Sequence, residues 1–300
     1  MPLLPCRIKC KYRLIYDEPR KDATMSSSKT TKKVSSPLRW PGGKARLACE
    51  IIPRLADHTA YVETCCGGAG VFWSKPKEMS VAEILNDLDG ELVNFYRMLH
   101  KRGKWLAREV DSMPYGRGTH KRMFYSTPSS QYSRAVRFWY LNRVGFGGKT
   151  HACDFGVKKS GPCYVLPQTI LSNLDATIER LRGVLFECVD VVRLLQIYDA
   201  PTTCFYIDPP YHNVCQEYAK SCRFTEADHE RLAFAVHGLD ANWLLSYNDT
   251  SLIRRLYADC STIAIEHRWY MGCNTKGKSS SQAREILISN RQLNSFVTTF

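Results

Sequence analysis

The sequence predicts an α/β protein built on a mostly parallel sheet. From Leu38 onward, short apolar segments typical of strands alternate with segments that have helical spacing of apolar residues. Such alternation indicates helices packed on the faces of a parallel sheet. A basic, glycine-containing stretch at 101–166 interrupts the alternation, so we expect an insertion there.

Each element follows from its local pattern. Leu92, Phe95, Tyr96 and Leu99 share one face of a helix, and Thr225 is suited to begin another as its N-cap. The predicted strands are 60–66, 81–85, 184–189, 202–207, 242–247, 261–269 and 285–290. The predicted helices are 89–101, 133–144, 167–183, 225–239 and 250–259.

The net charge of +13 is unevenly distributed along the 300 residues. Residues 1–36 hold nine Lys or Arg and three Asp or Glu, and residues 101–160 hold thirteen and three. The remainder therefore carries −3. The serine-rich stretch 18–37 is typical of disorder, so residues 1–36 are predicted to be a disordered basic tail. A basic segment on a nearly neutral body indicates nucleic-acid binding, with a merely solvated basic face as the alternative.

Other classes of protein are disfavoured by composition. No run of 18 apolar residues is present, so no membrane span is predicted, and the charged N-terminal stretch does not suit a signal peptide. The thirteen cysteines include no CxxC pair and no zinc-ligand spacing. We therefore expect reduced, mostly buried thiols and no metal.

The stretch VETCCGGAG predicts a strand that runs into a glycine-rich turn at the carboxyl edge of the sheet. It matches neither the dinucleotide-binding GxGxxG pattern nor a P-loop. Asp87 follows Gly67 by twenty residues and ends the next strand, where an acidic side chain can hold ribose hydroxyls. A glycine turn that binds no ligand is the alternative.

The stretch CFYIDPPYHN ends a buried strand with Asp208, Pro209, Pro210 and Tyr211. Proline has no N–H group, so this corner is rich in hydrogen-bond acceptors. A carboxylate and a carbonyl can accept both hydrogens of an amino group, and Tyr211 offers a flat face to an aromatic base. The pattern indicates a site for a planar amine, and a simple Asp-Pro turn is the alternative.

Seven motifs occur in order: LRWPGGK, VETCCGGAGVF, ILNDLD, LNRVGFGG, YIDPPY, LSYNDT and REILISN. Together they resemble the Dam-type (D12 class) DNA adenine-N6 methyltransferases over about residues 38–290. The resemblance implies a Rossmann-like, S-adenosylmethionine-dependent methyltransferase sheet with helices on both faces. It assigns 37–100 and 167–300 to the catalytic domain, and 101–166 to an inserted, basic, mainly helical target-recognition region.

The resemblance also implies an activity: methyl transfer from S-adenosylmethionine to the N6 amine of an adenine flipped out of duplex DNA. Asp208 and the carbonyl group of Pro209 would accept hydrogen bonds from that amine, beside Pro210 and with the base stacked on Tyr211. The implied cofactor-binding residues are Trp40, Lys44, Gly67, Gly68, Asp87 and Asp208. No metal takes part, and a cognate restriction endonuclease is a conceivable partner. We expect a cytoplasmic, nucleoid-associated protein encoded by a bacterium or a phage.

The predicted DNA contacts lie in the basic insertion. They are Arg134, Arg137, Arg143, Phe146, Lys149, His151, Lys158 and Lys159. Phe146 would wedge into the base stack, and the basic side chains would contact phosphates. Salt bridges within the protein are the alternative for Arg134 and Arg137, and the aromatic run 138–140 is expected to pack in the core.

Two stretches depart from the family pattern. The loop 64–69 reads TCCGGA where the family usually reads P-F-x-G-x-G, so Cys65 replaces an aromatic residue. His151 follows FGG where GATC-reading relatives show an asparagine in the motif and an arginine three positions on, so GATC recognition is not predicted.

Three alternative functions stay open. An N4-cytosine methyltransferase would share the mechanism, although its corner more often begins with serine than with aspartate. A DNA-binding protein without catalysis is supported only by the altered 64–69 loop. An RNA or protein methyltransferase is the third alternative.

Overall fold

The computed structural model describes residues 34–152, 154–157, 160–213, 224–266 and 284–294. Within these residues, seven strands form one sheet. They are β1 Ala60–Glu63, β2 Ala82–Asn86, β3 Val184–Glu187, β4 Thr203–Ile207, β5 Asn242–Asn248, β6 Ser261–Glu266 and β7 Arg284–Ser289.

The strand order is β3-β2-β1-β4-β5-β7-β6. Strands β1 to β5 pair in parallel, and β7 runs antiparallel to both β5 and β6. The chain builds outward from β1 through β2 to β3, then returns to the other side of β1 with β4. The order therefore reverses between β1 and β4, and a sheet of this type binds ligands in the crevice at such a point.

Ten α-helices lie within the described residues. They are α1 Ala48–Ile51, α2 Gly70–Ser74, α3 Gly90–Asp111, α4 Arg117–Tyr125, α5 Gln131–Val144, α6 Gln168–Ser172, α7 Leu174–Arg180, α8 Val191–Tyr198, α9 Glu226–His237 and α10 Ser251–Leu256. Thr225 caps α9 through a reciprocal pair of hydrogen bonds with Asp228, which confirms the predicted start of that helix.

Several predicted elements differ from the structure. The helix expected over 167–183 is two helices, α6 and α7, which meet at Asn173. Strand β1 ends at Glu63 rather than at residue 66, because the next residues turn into the glycine loop. Helices α1, α2, α4 and α8 were not predicted. The last part of the predicted strand 261–269 lies outside the described residues.

The sheet is covered on both faces, which confirms the predicted fold class. Successive residues of one strand enter opposite hydrophobic clusters: Tyr61 packs in one and Val62 in the other, and Tyr206 and Phe205 divide in the same way. This is the alternation expected of a strand buried on both sides. The aromatic run 138–140 is fully buried, as predicted. The expectation of mostly buried thiols was wrong, because only two of the seven cysteines in the described residues, Cys66 and Cys204, are buried.

The basic insertion contains mainly helices. Helix α3 runs through residue 101 and continues to Asp111, with non-helical backbone angles at Arg102. Helices α3 and α4 both pack against α5. After α5 the chain forms a loop closed by an isolated bridge between Gly145 and Phe155. The limits of the tail and of the insertion stay predictions. No helix among the described residues is both long enough and apolar enough to cross a membrane.

Candidate active site

A cavity of about 320 Å³ opens at the carboxyl ends of the central strands. Its wall comes from the segment that begins at Trp40, the glycine loop after β1, the end of β2, and the corner after β4. The predicted residues that line it are Trp40, Lys44, Gly67, Gly68, Asp87, Lys149, His151, Asp208, Pro209, Pro210 and Tyr211. The fold thus brings together residues that are up to 171 positions apart, from Trp40 to Tyr211.

The glycine loop packs directly against the indole of Trp40. Gly67 has φ +47°, and a Cβ atom on it would lie 2.3 Å from Trp40 Nε1. Its N–H group donates to Asp87 Oδ2 at 2.9 Å, and its carbonyl oxygen accepts from Tyr96 Oη at 2.9 Å. Only glycine combines this backbone angle with this contact, so the loop and Trp40 form one wall of the cavity.

Asp87 is the acidic residue that was predicted to bind ribose because it follows Gly67 by twenty residues. Its second oxygen accepts the N–H group of Asp89 at 3.0 Å. Burial raises the pKa of Asp87 to about 6, although both backbone hydrogen bonds oppose the rise. Neighbouring Asn86 ties the strand ends together, because its amide group donates to Thr64 and Val189 and accepts from the Val189 N–H group.

Cys65, which stands where the family has an aromatic residue, is partly buried at the wall of the cavity. Burial is the main cause that raises the pKa of its thiol well above the ordinary value, with the charge of Asp87 adding to it. The thiol is therefore protonated at neutral pH and lacks the thiolate character of a nucleophile.

Asp208 ends strand β4 and is held by two side chains. The ammonium nitrogen of Lys44 lies 2.8 Å from its carboxylate, and Ser246 Oγ on β5 donates to its Oδ1 at 2.8 Å. Lys44 also donates to the carbonyl oxygen of Gly42 at 3.0 Å. Burial lowers the pKa of Lys44, but its ion pairs with Asp208 and Glu285 outweigh this and raise it, so Lys44 is a cation.

Tyr211 contacts a carboxylate that sequence reasoning did not single out. Its hydroxyl donates a short hydrogen bond to Glu285 Oε1 on β7, and Lys44 Nζ lies 4.8 Å from the centre of its ring. Burial raises the pKa of Tyr211, so the phenol keeps its proton. Burial also raises the pKa of Glu285, while the Lys44 ammonium opposes that rise.

Two motifs quoted for the resemblance contain residues whose roles sequence reasoning missed. In LSYNDT, Ser246 orients Asp208, and Asn248 exchanges two hydrogen bonds with the backbone of His212 at 3.1 and 2.8 Å. In REILISN, Glu285 reaches Tyr211 and Lys44. The sequence indicated these residues only through their place in the two motifs, because no spacing pattern predicts which side chains they contact.

Arg39, the residue before Trp40, is held to the loop after α5 by hydrogen bonds through Asn142. Asn142 is fully buried; it accepts the Arg39 N–H group at 2.9 Å and donates to the carbonyl oxygens of Arg39 and Gly148. Gly148 has φ +80°, and a Cβ atom on it would lie 2.2 Å from the carbonyl oxygen of Arg39. The loop that follows α5 is therefore part of the cavity wall, through Lys149 and His151.

Two of the predicted DNA contacts are engaged inside the protein. Arg134 forms a two-pronged ion pair with Glu91 at the start of α3, through Nε at 2.9 Å and a shorter contact from Nη2. Arg137 donates to the carbonyl oxygens of Met123 and Phe124 at 2.8 and 2.7 Å. These contacts fasten α5 to α3 and α4.

Among the other predicted DNA contacts, Lys149 and His151 line the cavity. Phe146 is 53% exposed, and His151 lies 3.2 Å from Asp89. Arg143 is partly buried beside Arg39, and burial, followed by the charge of Arg39, lowers its pKa to about 10. Lys158 and Lys159 lie outside the described residues.

One group of metal-ligating side chains occurs in the described part of the chain. His237, Asp259 and Cys260 have ligand atoms within 4.8 Å of one another. The His237 ring already has two partners, the carbonyl oxygen of Ala233 at 2.6 Å and Asp259 at 3.0 Å. These residues do not line the cavity, and the prediction that no metal takes part in the reaction stays a prediction.

Comparison with known proteins agrees with the geometry. Residues 40–271 match the family model of the D12 class N6 adenine-specific DNA methyltransferases. The DNA adenine methylase of Serratia marcescens is 26% identical over 268 residues, which cover 83% of this chain and 96% of that protein. The retron Ec67 DNA adenine methylase of Escherichia coli is 25% identical, with 85% and 92% covered. The DNA adenine methylase of Haemophilus influenzae is 24% identical, with 73% and 82% covered.

The family match spans well over half of the chain and contains the glycine loop, Asp87 and the Asp208 corner. The fold, the cavity at the reversal of strand order and this match agree. The chain belongs to the D12 class of N6 adenine-specific DNA methyltransferases, and it is an enzyme that methylates adenine in DNA.

Proposed function

We propose that the methyl donor is S-adenosylmethionine and that it binds along the glycine loop. One observation carries the proposal: the ends of β1, β2 and β4 bring the Gly67 loop, Asp87 and Asp208 into a single cavity. Asp87 would hold ribose hydroxyls, and Trp40 and Gly68 would line the cofactor. Glycines at 67 and 68 support this assignment, because a side chain at either position would meet Trp40.

Asp208, with the carbonyl group of Pro209, would hold the amino group of the flipped adenine, and Tyr211 would stack on the base. When bound, the cofactor would supply an electrophilic methyl group on a positively charged sulfur. After transfer the donor would be a neutral thioether, and the methylated N6 would have lost one proton. Asp208 would increase the nucleophilicity of N6 by accepting a hydrogen bond from it, and its carboxylate would take the released proton. Ser246 fixes the orientation of the carboxylate. Orientation and electrostatics are therefore the main sources of the rate.

The DNA face that we propose surrounds the mouth of the cavity. Phe146, Arg143, Lys149, His151, Lys158 and Lys159 keep their predicted roles. Arg134 and Arg137 are the less suitable phosphate ligands, because their guanidinium groups already have partners. Helix α4 supplies exposed basic residues instead, namely Arg117, Lys121 and Arg122. It adjoins the loop that carries Phe146, since Tyr115, just before α4, donates to the carbonyl oxygen of Gly156 at 2.8 Å.

The test is methyl transfer from labelled S-adenosylmethionine to unmethylated duplex DNA of mixed sequence, followed by nucleoside analysis. Label is expected in N6-methyladenine. We predict that Asp208→Ala lowers the rate by at least about a thousandfold while DNA affinity is retained, because the phosphate contacts lie elsewhere. Asp175→Ala is the matched control, since Asp175 is an exposed aspartate that pairs with Lys104, which is also exposed.

Three results would contradict parts of this proposal. Label in N4-methylcytosine would show that the substrate base is cytosine. A wild type that does not bind S-adenosylmethionine would show that the methyl donor is another compound. Near-normal turnover by Asp208→Ala would remove Asp208 from its assigned role.

A further inference from the structure

Glu285 is a buried carboxylate with an unusual set of contacts. Strand β7 pairs with β5 so that Glu285 lies opposite Asn248, which brings it beside the Asp208 corner. It is only 2% exposed. Its Oε1 accepts from the Tyr211 hydroxyl and lies 3.4 Å from Lys44 Nζ. Its Oε2 is buried without a hydrogen-bond partner among the described residues, which is a costly state for a carboxylate oxygen.

The Lys44 ammonium lies where the adenine amine is expected to bind. It is 2.8 Å from the Asp208 carboxylate and 4.8 Å from the centre of the Tyr211 ring. Under the proposed function, the target amine needs the same carboxylate while its base lies against the same ring. Lys44, which contacts both carboxylate oxygens of Asp208, therefore competes with the target amine for that carboxylate.

A displaced Lys44 needs another anionic partner. Its side chain is only 5% exposed, and an ammonium group without an anionic partner is strongly unfavourable in such a place. The second carboxylate within reach is Glu285, and its Oε2 has the free lone pairs that such a move requires.

We propose that Glu285 is the acceptor to which Lys44 moves when the target amine binds Asp208. This inference rests on the proposed function of Asp208 and Tyr211. Glu285 acts through Lys44 and is a positioning residue. The exchange transfers no proton and leaves the summed charge of the corner unchanged. It frees Asp208 to accept the amine while the Lys44 charge stays balanced.

The test is a double-mutant cycle of Glu285→Gln and Lys44→Met. Glutamine keeps a carbonyl acceptor for the Tyr211 hydroxyl but removes the charge that Lys44 needs. Single-turnover methyl transfer is measured with enzyme and S-adenosylmethionine in excess over duplex DNA. Duplex affinity in the presence of S-adenosylhomocysteine is the second readout of the same cycle.

We expect Glu285→Gln to lower the single-turnover rate about tenfold or more, while the cofactor Kd stays within about twofold. In the Lys44→Met background, Glu285→Gln should change neither rate nor duplex affinity further. Glu187→Gln is the matched control, because Glu187 accepts from the Tyr198 hydroxyl at 2.8 Å in a second tyrosine–glutamate pair. It should leave both readouts within about twofold of the wild type.

The proposal is overturned if Glu285→Gln is as active as the wild type. It is also overturned if the substitution causes the same loss in the Lys44→Met background as in the wild-type background, since Glu285 would then act through Tyr211 alone. If Lys44→Met transfers methyl groups too slowly for its single-turnover rate to be measured, the duplex affinities of the same variants are compared instead. A wild type that makes no N6-methyladenine would instead refute the proposed function, so the two failures are distinguishable.

Discussion

The Asp208 corner and the basic insertion both hold cations in contacts within the protein, but Lys44 in the corner is buried whereas Arg134 in the insertion is partly exposed. In the corner, Lys44 is paired with Asp208 and Glu285, and Lys44 and Asp208 lie within the residues that match the family model. In the insertion, Arg134 is paired with Glu91 and Arg137 with backbone carbonyl groups, although their sequence context favoured DNA phosphates. The comparison teaches that net charge can single out a segment as a candidate DNA face, whereas only packing shows which guanidinium groups already have partners within the protein.

The substitution Gly67→Ala tests the proposed cofactor site at the glycine loop and has the largest expected effect. The new Cβ atom would lie 2.3 Å from Trp40 Nε1, on a residue with φ +47°. We expect the Kd of S-adenosylmethionine to rise about 100-fold, which corresponds to about 2.7 kcal/mol. Equilibrium dialysis measures this Kd, with Gly116→Ala as control because a Cβ atom there has no atom of the described residues within 4 Å. Unchanged affinity would remove the Gly67–Trp40 contact from the cofactor site.

Asn142→Ala tests whether the insertion and the corner are one unit. The substitution leaves the N–H and carbonyl groups of Arg39 and the carbonyl group of Gly148 without their partner. We expect the free energy of unfolding to fall by about 2–3 kcal/mol, measured by urea denaturation. Asn173→Ala, at a more exposed helix junction, should cost less than about 1 kcal/mol. Equal losses would show that the Asn142 contacts have no special weight.

His229 tests how the corner responds to pH. The ring is buried, its Nδ1 lies 2.6 Å from the Tyr247 hydroxyl, and burial, followed by the charge of His212, lowers its pKa to about 4. The unfolded chain takes up a proton near the ordinary pKa of about 6.5, so folding stability falls as pH drops from 6.5 towards 4. At pH 5 the loss is about 2 kcal/mol.

The measurement compares the pH dependence of unfolding for the wild type and His229→Gln. Both carry every other titrating group, so the difference between their slopes belongs to His229. We expect the wild type to lose about 2 kcal/mol more than the variant between pH 7 and pH 5. Parallel pH profiles would contradict a neutral, buried His229.

The smallest expected effects concern the insertion. Lys121 is exposed on α4, so Lys121→Gln should reduce the slope of log Kobs against log salt for DNA binding by about 0.9. Arg134→Gln should leave that slope unchanged, because its partner is Glu91. A fluorescence titration between low and moderate salt measures both. A reduced slope for Arg134→Gln would reverse our assignment of internal and DNA-facing cations.

The sequence by itself determined the fold class, and it predicted the position at the strand ends where the cavity opens and the residues Asp87 and Asp208 that line it. These features depend on local patterns: apolar strands, a glycine turn after β1, and prolines that end β4 at Asp208. The length of α3 and the division of 167–183 into two helices could not be read in this way, because packing against neighbouring helices decides where such segments end.

Only the tertiary structure decided which side chains meet. Lys44 and Asp208 are 164 residues apart, and Glu285 reaches both Lys44 and Tyr211 because β7 inserts antiparallel beside β5. A single sequence carries no local signal for such a pairing. Contacts of this kind depend on strand order and register, so they are decided when the chain packs.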